Sequence, residues 1–282
     1  MLTIFTIPKP FVGHSRMIQR NAIKSWLELK PRCEIILFGD DAGVAEIAKE
    51  LSVEHIPSIV KNEFRTPLLS SAFATAQKVA KNDILMYANT DVIFFQDLIE
   101  AVHRVNKPPF LACGRRWDLD IMDDVDFEDS EWIIKLLNRI RDEGNLHGYA
   151  GIDYFIFPKN TVNMPDFSVG RPGWDNWLVY DVRMREIPVI DATEAITVIH
   201  QNHDFSHSKF GGKKRVGGPE WQKNIEIAGG LTNMMTLWDA GWTLGKNGLK
   251  RPDFPMRLFS MLSLFYPWRV LLAVKRKFQN MR

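Results

Sequence analysis

Apolar positions near the start of the chain alternate between short unbroken runs and stretches with helical spacing. Leu2–Ile7 predicts a strand that ends at Pro8. From Ser15 to Leu29, Ile18, Ala22, Trp26 and Leu29 fall on one helical face and Arg16, Arg20 and Lys24 on another. Glu34–Phe38 has the character of a buried strand and is closed by Gly39-Asp40-Asp41. Val44, Ile47, Ala48 and Leu51 mark a short helix, and Val53–Ile56 a third strand. Thr66-Pro67 predicts a helix start, with threonine as cap and proline in the first helical position. Behind it Leu69, Ala72, Phe73, Ala76, Val79 and Ala80 keep the helical period. Ile84–Tyr87 and Val92–Phe95 are two further apolar runs, with Asn89-Thr90-Asp91 between them.

This alternation predicts an α/β fold: a Rossmann-type open, mostly parallel sheet flanked by helices. Such sheets bind ligands outside the carboxyl ends of their strands. That directs attention to Thr6-Ile7-Pro8, Gly39-Asp40 and Asn89-Thr90-Asp91. No G-x-G-x-x-G follows the first strand, and Gly211-Gly212-Lys213-Lys214 lacks the spacing of a Walker loop. Ordinary dehydrogenase and P-loop readings fall on those grounds.

Composition narrows the class further. In 282 residues, 45% are hydrophobic and 25% charged, which excludes a disordered or collagen-like chain. Two cysteines, Cys33 and Cys113, cannot build a disulfide framework. The start lacks the basic and apolar regions of a signal peptide, so a cytoplasmic location is expected. A net charge of +2 gives no reason to expect nucleic-acid binding. The charge is unevenly spread, however. Residues 250–282 carry eight basic residues against Asp253 alone, a net +7, which leaves −5 on residues 1–249. Within that tail Leu258–Val274 is apolar but interrupted by Pro267 and Arg269, a poor membrane span. A basic amphipathic segment on the inner face of an anionic membrane fits better, beside the alternative of a helix docked on protein. The expected organisation is one domain over residues 1–249 and an amphipathic helical tail over 250–282.

A carboxylate at Asp91, just outside low-dielectric packing, is placed to hold a divalent cation that neutralises a diphosphate; capping of a turn is the competing role. The stretch Tyr87-Ala88-Asn89-Thr90-Asp91-Val92-Ile93-Phe94-Phe95 resembles the D-x-D region of GT-A-type, family-2-like glycosyltransferases, which use nucleotide diphosphate sugars. Asn89 stands at the first acidic position of that pattern. Gly173-Trp174-Asp175-Asn176-Trp177 resembles the family's acidic motif on the acceptor side, and His200-Gln201-Asn202-His203-Asp204 its C-terminal metal-binding region. The resemblance spans roughly residues 1–245. It implies a GT-A-like fold, a manganese or magnesium ion, and a nucleotide diphosphate sugar as donor.

Asp175 lies between two tryptophans whose planar faces suit a sugar ring, and an indole-walled carboxylate is expected to have a raised pKa suited to a general base. The resemblance gives that position the acceptor proton in inverting enzymes; a helix start with Asp175 as cap and the tryptophans in the core is the alternative. His200, His203 and His207 follow at spacings of three and four, with no HExxH and no cysteine pair. The apolar run Ala195–Ile199 predicts a strand with these histidines at its end. Alternation then puts His200 and Asn202 on one side and His203 on the other, so His200 is the favoured partner of Asp91 and His203 the second. Tyr149–Phe157 ends in a strand, and small residues before Asp153 would let substrate approach the backbone. The resemblance makes Asp153 a sugar ligand and a reserve base. Arg115 and Arg116 follow the run Phe110–Cys113 and suit phosphate, while Trp117 suits the flank of a sugar. The acidic run Asp118–Glu131 reads as a solvated loop. Arg65 stands near a helix start that favours the donor diphosphate. Lys209, Lys213, Lys214 and Arg215, set among glycines, suit a loop that closes over the diphosphate.

The expected reaction is therefore sugar transfer from a nucleotide diphosphate sugar to the hydroxyl of a glycan or lipid-linked acceptor. Asp91 with His200 or His203 would hold the metal, Thr6, Pro8 and Asp40 the nucleoside, and Asp175 the proton. Two other readings stay open: a catalytically silent nucleotide-sugar or glycan-binding module, and a zinc-dependent hydrolase built on His200, His203 and His207.

Overall fold

A computed structural model describes residues 1–105, 108–203, 217–262 and 264. The chain runs β1 (Leu2–Thr6), α1 (Gly13–Leu27), β2 (Glu34–Phe38), α2 (Val44–Leu51), β3 (Glu54–Ile56), α3 (Leu69–Val79), β4 (Ile84–Ala88) and β5 (Val92–Phe94). It continues through α4 (Asp97–Arg104), β6 (Leu111–Cys113), β7 (Trp117–Leu119), α5 (Trp132–Glu143), β8 (Asn145–Leu146) and β9 (Tyr154–Pro158). The last third holds α6 (Trp174–Met184), β10 (Val189–Asp191), β11 (Val198–Gln201), α7 (Pro219–Ile227), β12 (Trp242–Gly245), β13 (Gly248–Lys250) and α8 (Phe254–Leu262).

Nine strands form one sheet in the order β13-β12-β10-β6-β9-β4-β1-β2-β3. Most neighbours are parallel; β9 and β13 run antiparallel to theirs. Alternation along the central strands explains why their sequences are apolar without a break. Ile4, Ile35, Leu37 and Met86 pack on one face against Trp26 of α1 and Ile47 of α2. Phe5, Ile36, Phe38 and Tyr87 pack on the other against Phe73 of α3 and Val179 of α6.

A second sheet, β5-β11-β7-β8, carries its own core with α5, including Ile93, Leu119, Trp132 and Ile199. The two apolar runs around Asn89-Thr90-Asp91 therefore belong to different sheets. The motif is the crossing between them.

Two local expectations differ from the structure. The helix expected from Thr66-Pro67 begins later, at Leu69, because Leu68 is extended and donates its N–H to Val60 O at 2.8 Å. Pro67 bridges Lys61 instead, and Asn62 Oδ1 takes the Thr66 N–H. The acidic run is not wholly a solvated loop, since Asp118 lies in β7. Among the described residues no helix is long and apolar enough to cross a membrane.

Candidate functional site

Strand register brings the central side chains together. β11 lies between β5 and β7, with His200 opposite Val92 on one side and Asp118 on the other. Asp91 immediately precedes β5, so pairing His200 with Val92 sets its imidazole beside the Asp91 carboxylate. β11 ends at Gln201, where the chain turns and Asn202 donates its N–H to Leu119 O at 2.9 Å. Strict alternation is thus lost, and His203 returns to the same side as His200, with ring centroids 5.6 Å apart. Asn202 bonds Asp120 instead. The expected choice between the two histidines does not arise: candidate ligand atoms of Asp91, His200 and His203 all lie within 4.8 Å of one another.

Buried Gln201 holds this crossing. Its backbone N–H and side-chain amide both donate to Asp91 O, and the amide also bonds Ile18 O and Asn21 of α1. Trp26 Nε1 donates to Val92 O at 3.0 Å. At the end of β1, the Thr6 and Thr90 hydroxyls bond at 2.8 Å in the core.

The triad is electrostatically loaded. Burial alone would raise the Asp91 pKa, but the hydrogen bond with His203, together with the nearby charges of His200 and Lys9, holds it well below the usual carboxylate range. Asp91 Oδ2 lies 3.1 Å from His203 Nε2, while Oδ1 is buried without a hydrogen-bond partner. Burial would lower the His200 pKa, yet the carboxylates of Asp118, Asp91 and Asp153 raise it. Its Nδ1 stands 3.3 Å from Asp118 Oδ1 without the angle of a hydrogen bond. Lys9, which the sequence did not single out, sets its ammonium 3.6 Å from Asp91 Oδ2 and 3.4 Å from His203 Nε2. Gln19 clamps the Lys9 backbone by bonds to both its N–H and its C=O.

Asp153 and Arg116 form the neighbouring cluster. Asn89 donates to Asp153 Oδ1 at 2.7 Å, and Arg116 pairs with Asp153 Oδ2 and with Asp118. Asp118 also bonds His147 Nδ1 at 2.7 Å. Arg116 thus has two carboxylates as partners. Arg115 lies over the Tyr149 ring and donates to His147 O. A Cβ at Gly151 would run into the His147 ring, so the small residues before Asp153 make room for an imidazole.

Asp175 is the second residue of α6, and the capping position belongs to Gly173, whose φ of 111° favours glycine. Burial raises the Asp175 pKa to about 6, with Asp153 adding to the effect and backbone N–H groups of Asn176 and Gly173 opposing it. The flanking indoles belong to the core: Trp174 packs edge-on to Tyr87 with centroids 5.3 Å apart, and Trp177 against Phe167 at 5.1 Å.

Other expected ligand residues lie along the same strand ends. Pro8 is buried just past β1. Asp40 is exposed past β2 and paired with Lys61. Arg65 is exposed in the Asn62 turn, with φ 65°. Trp117 is partly buried against the second core. His207 and the glycine-hinged lysines at 209–215 fall outside the described residues. Asp118, His147, Lys9 and Gln201 were missed because only register and tertiary packing bring them to the triad.

No family model and no curated protein matches the chain. Among solved structures, GalNAc-T7 with UDP, GalNAc and Mn²⁺ aligns over 81% of this chain and 48% of its own, with 13% identity and a TM-score of 0.51. The fold is of the GT-A type. S. aureus TarS 1-349 with UDP-GlcNAc aligns over 81% of this chain and 65% of its own, with 11% identity and a TM-score of 0.49. The mannosyltransferase PcManGT from Pyrobaculum calidifontis, with GDP-Man and Mn²⁺, covers 97% and 73%, with 13% identity and a TM-score of 0.45. This chain spans about half the length of GalNAc-T7.

One carboxylate and two imidazoles form a donor set for a manganese-like divalent ion, and the unpartnered Asp91 Oδ1 is a ready ligand atom. The residues present fit such an ion.

Proposed function

We propose that the protein is a glycosyltransferase that moves a sugar from a nucleotide diphosphate sugar to an acceptor hydroxyl. The observation that carries this reading is the convergence of Asp91, His200 and His203 at the carboxyl end of β4 in a GT-A-type fold. GalNAc-T7 and PcManGT hold a sugar or sugar nucleotide and Mn²⁺. A divalent ion held by Asp91, His200 and His203 would supply positive charge against the leaving diphosphate.

The chain's own residues account for the other roles. Thr6, Pro8 and Asp40, at or just past the ends of β1 and β2, are assigned to the nucleoside, and exposed Arg65 to the diphosphate. Asn89 and Arg116 fix both Asp153 oxygens, which makes Asp153 a sugar-hydroxyl acceptor better than a base. Trp117 flanks the sugar. Asp175, with a pKa of about 6, is deprotonated at neutral pH and still basic enough to accept the acceptor's proton. Attack assisted in this way inverts the anomeric centre. The acceptor is a glycan or lipid-linked sugar, reached from the inner face of a membrane to which residues 250–282 adhere.

Incubation with UDP-, GDP- and dTDP-sugars plus Mn²⁺ tests this reading. One donor should release nucleoside diphosphate, and Asp175→Asn should lower that rate by about a hundredfold or more. Failure of every donor with a broad set of glycan acceptors would sink it. An Asp-His-His set also serves zinc hydrolases; stoichiometric zinc in the purified protein, with hydrolysis in place of transfer, would favour that second reading.

A further inference from the structure

At the opposite end of the sheet, three arginines line a cavity of about 200 Å³. Arg183 comes from the last turn of α6, Arg251 from the residue after β13, and Arg257 from α8. None of the three forms an ion pair with a described acidic residue. The hydrogen-bond partners of Arg183 and Arg251 are neutral. Arg183 donates to Asp239 O and Ser260 Oγ, while Arg251 donates to Gly241 O and lies over the Trp242 ring at 3.9 Å. Burial lowers the Arg183 pKa; the nearby Asp239 carboxylate opposes that shift and Arg251 adds to it. The Arg183 and Arg251 guanidinium groups, held in place by a carbonyl each, a hydroxyl and an indole and in ion-pair contact with no described carboxylate, suit a phosphate-type anion, with Arg257 on the same cavity wall.

The helix beside this cavity carries a second signal. Phe254, Leu258 and Met261 are exposed, at 76%, 44% and 55%. At about 100° per residue they share one face of α8. Ser260 is buried on the other side and bonds Asp239 O. Arg257 lies between the apolar face and Ser260, so the exposed stripe and the cationic cavity are adjacent. An anion site next to an exposed apolar stripe matches a phospholipid, with a phosphate above and hydrocarbon beside it.

We infer that Arg183, Arg251 and Arg257 bind the phosphate of an anionic phospholipid while Phe254, Leu258 and Met261 enter the interfacial region of the bilayer. This sharpens the membrane reading of residues 250–282 and needs nothing from the donor site. The cavity is at the amino end of β12, four strands from β4 and at the opposite end of the parallel strands from Asp91.

Co-sedimentation of the full chain with phosphatidylglycerol/phosphatidylcholine vesicles, against phosphatidylcholine alone, tests it. Wild type should bind only the anionic vesicles. The double variant Arg251→Gln/Arg257→Gln should bind about tenfold or more weakly, while a cooperative thermal transition shows that it remains folded. Lys246→Gln/Lys250→Gln removes the same two charges at residues outside the cavity and should cost twofold or less. Excess inorganic phosphate should compete. Binding lost on deleting residues 265–282 but indifferent to the arginine pair would overturn the cavity while leaving the tail as the anchor. Phosphate that stabilises the protein without any vesicle binding would make this a soluble-anion site and overturn the lipid assignment. Absence of both effects overturns the inference and the membrane reading together.

Discussion

Lys9 gives the triad a cation of its own. An ammonium 3.6 Å from Asp91 Oδ2 cannot ligate a metal and must move aside when one binds. Opposing positive charges at this range interact by one or more kcal/mol. Lys9→Met should therefore tighten Mn²⁺ binding to the nucleotide-free protein by about tenfold, read by calorimetry or by the electron-spin signal of free Mn²⁺. Unchanged or weaker binding would show that Lys9 does not compete. Asp175 gives a prediction of opposite character. Its folded-state pKa is raised to about 6, so the fold favours its protonated form. That contribution is complete below the unfolded value near 4 and is lost as pH rises through about 6. Asp175→Asn should thus abolish the acidic limb of the rate profile while stabilising the protein at pH 8 by about 1–2 kcal/mol. Asp91, His200 and His203 drew attention in the sequence because each follows an apolar run, and Asp175 because two tryptophans flank it. Lys9 was not, because a lysine between two prolines carries no chemical signal until Gln19 and Asp91 are placed around it.

Among the elements, register governs the site. A one-residue slip of β11 against β5 would turn His200 away from Asp91. Gln201 is the fixing residue, with bonds to Asp91, Ile18 and Asn21 in a wholly buried position. Gln201→Ala should cost about 2–4 kcal/mol in denaturant unfolding and weaken Mn²⁺ binding along with it. A stability loss with undiminished metal affinity would separate Gln201 from the triad. The parallel core was legible because strands buried on both faces are apolar throughout, as in Glu34–Phe38. The pairing of β5 with β11 was not, since it joins residues more than a hundred positions apart and leaves no local trace. Thr66-Pro67 misled for a related reason: Asn62 and Val60 satisfy that backbone as a bridge, outcompeting a helix start.

Across the whole molecule α6 links two ends with different chemistry. Asp175 lies in its first turn, at the end proposed for the donor, and Arg183 in its last turn, about 12 Å further along the axis. A membrane on the arginine side would hold the acceptor site off the bilayer by at least that helix. A lipid-linked acceptor must then present its hydroxyl on a headgroup or glycan long enough to reach, and acceptors with short headgroups should turn over more slowly than extended ones on the same vesicles. Equal rates would contradict this orientation. Among the described residues, Arg183, far from the C-terminal arginines in sequence, lines the same cavity as Arg251 and Arg257.

Metal and nucleotide are proposed to bind together in one donor site around Asp91. A thermal-shift panel of UDP, GDP, CMP and dTDP, each with and without Mn²⁺, tests that directly. A ligand specific to the folded state adds about 2.7 kcal/mol of stability at a hundred times its dissociation constant. One nucleoside diphosphate should raise the melting temperature only with Mn²⁺, and Asp91→Ala should erase the shift. A folded protein that responds to no nucleotide, or whose response survives Asp91→Ala in full, contradicts a metal-dependent donor site at Asp91.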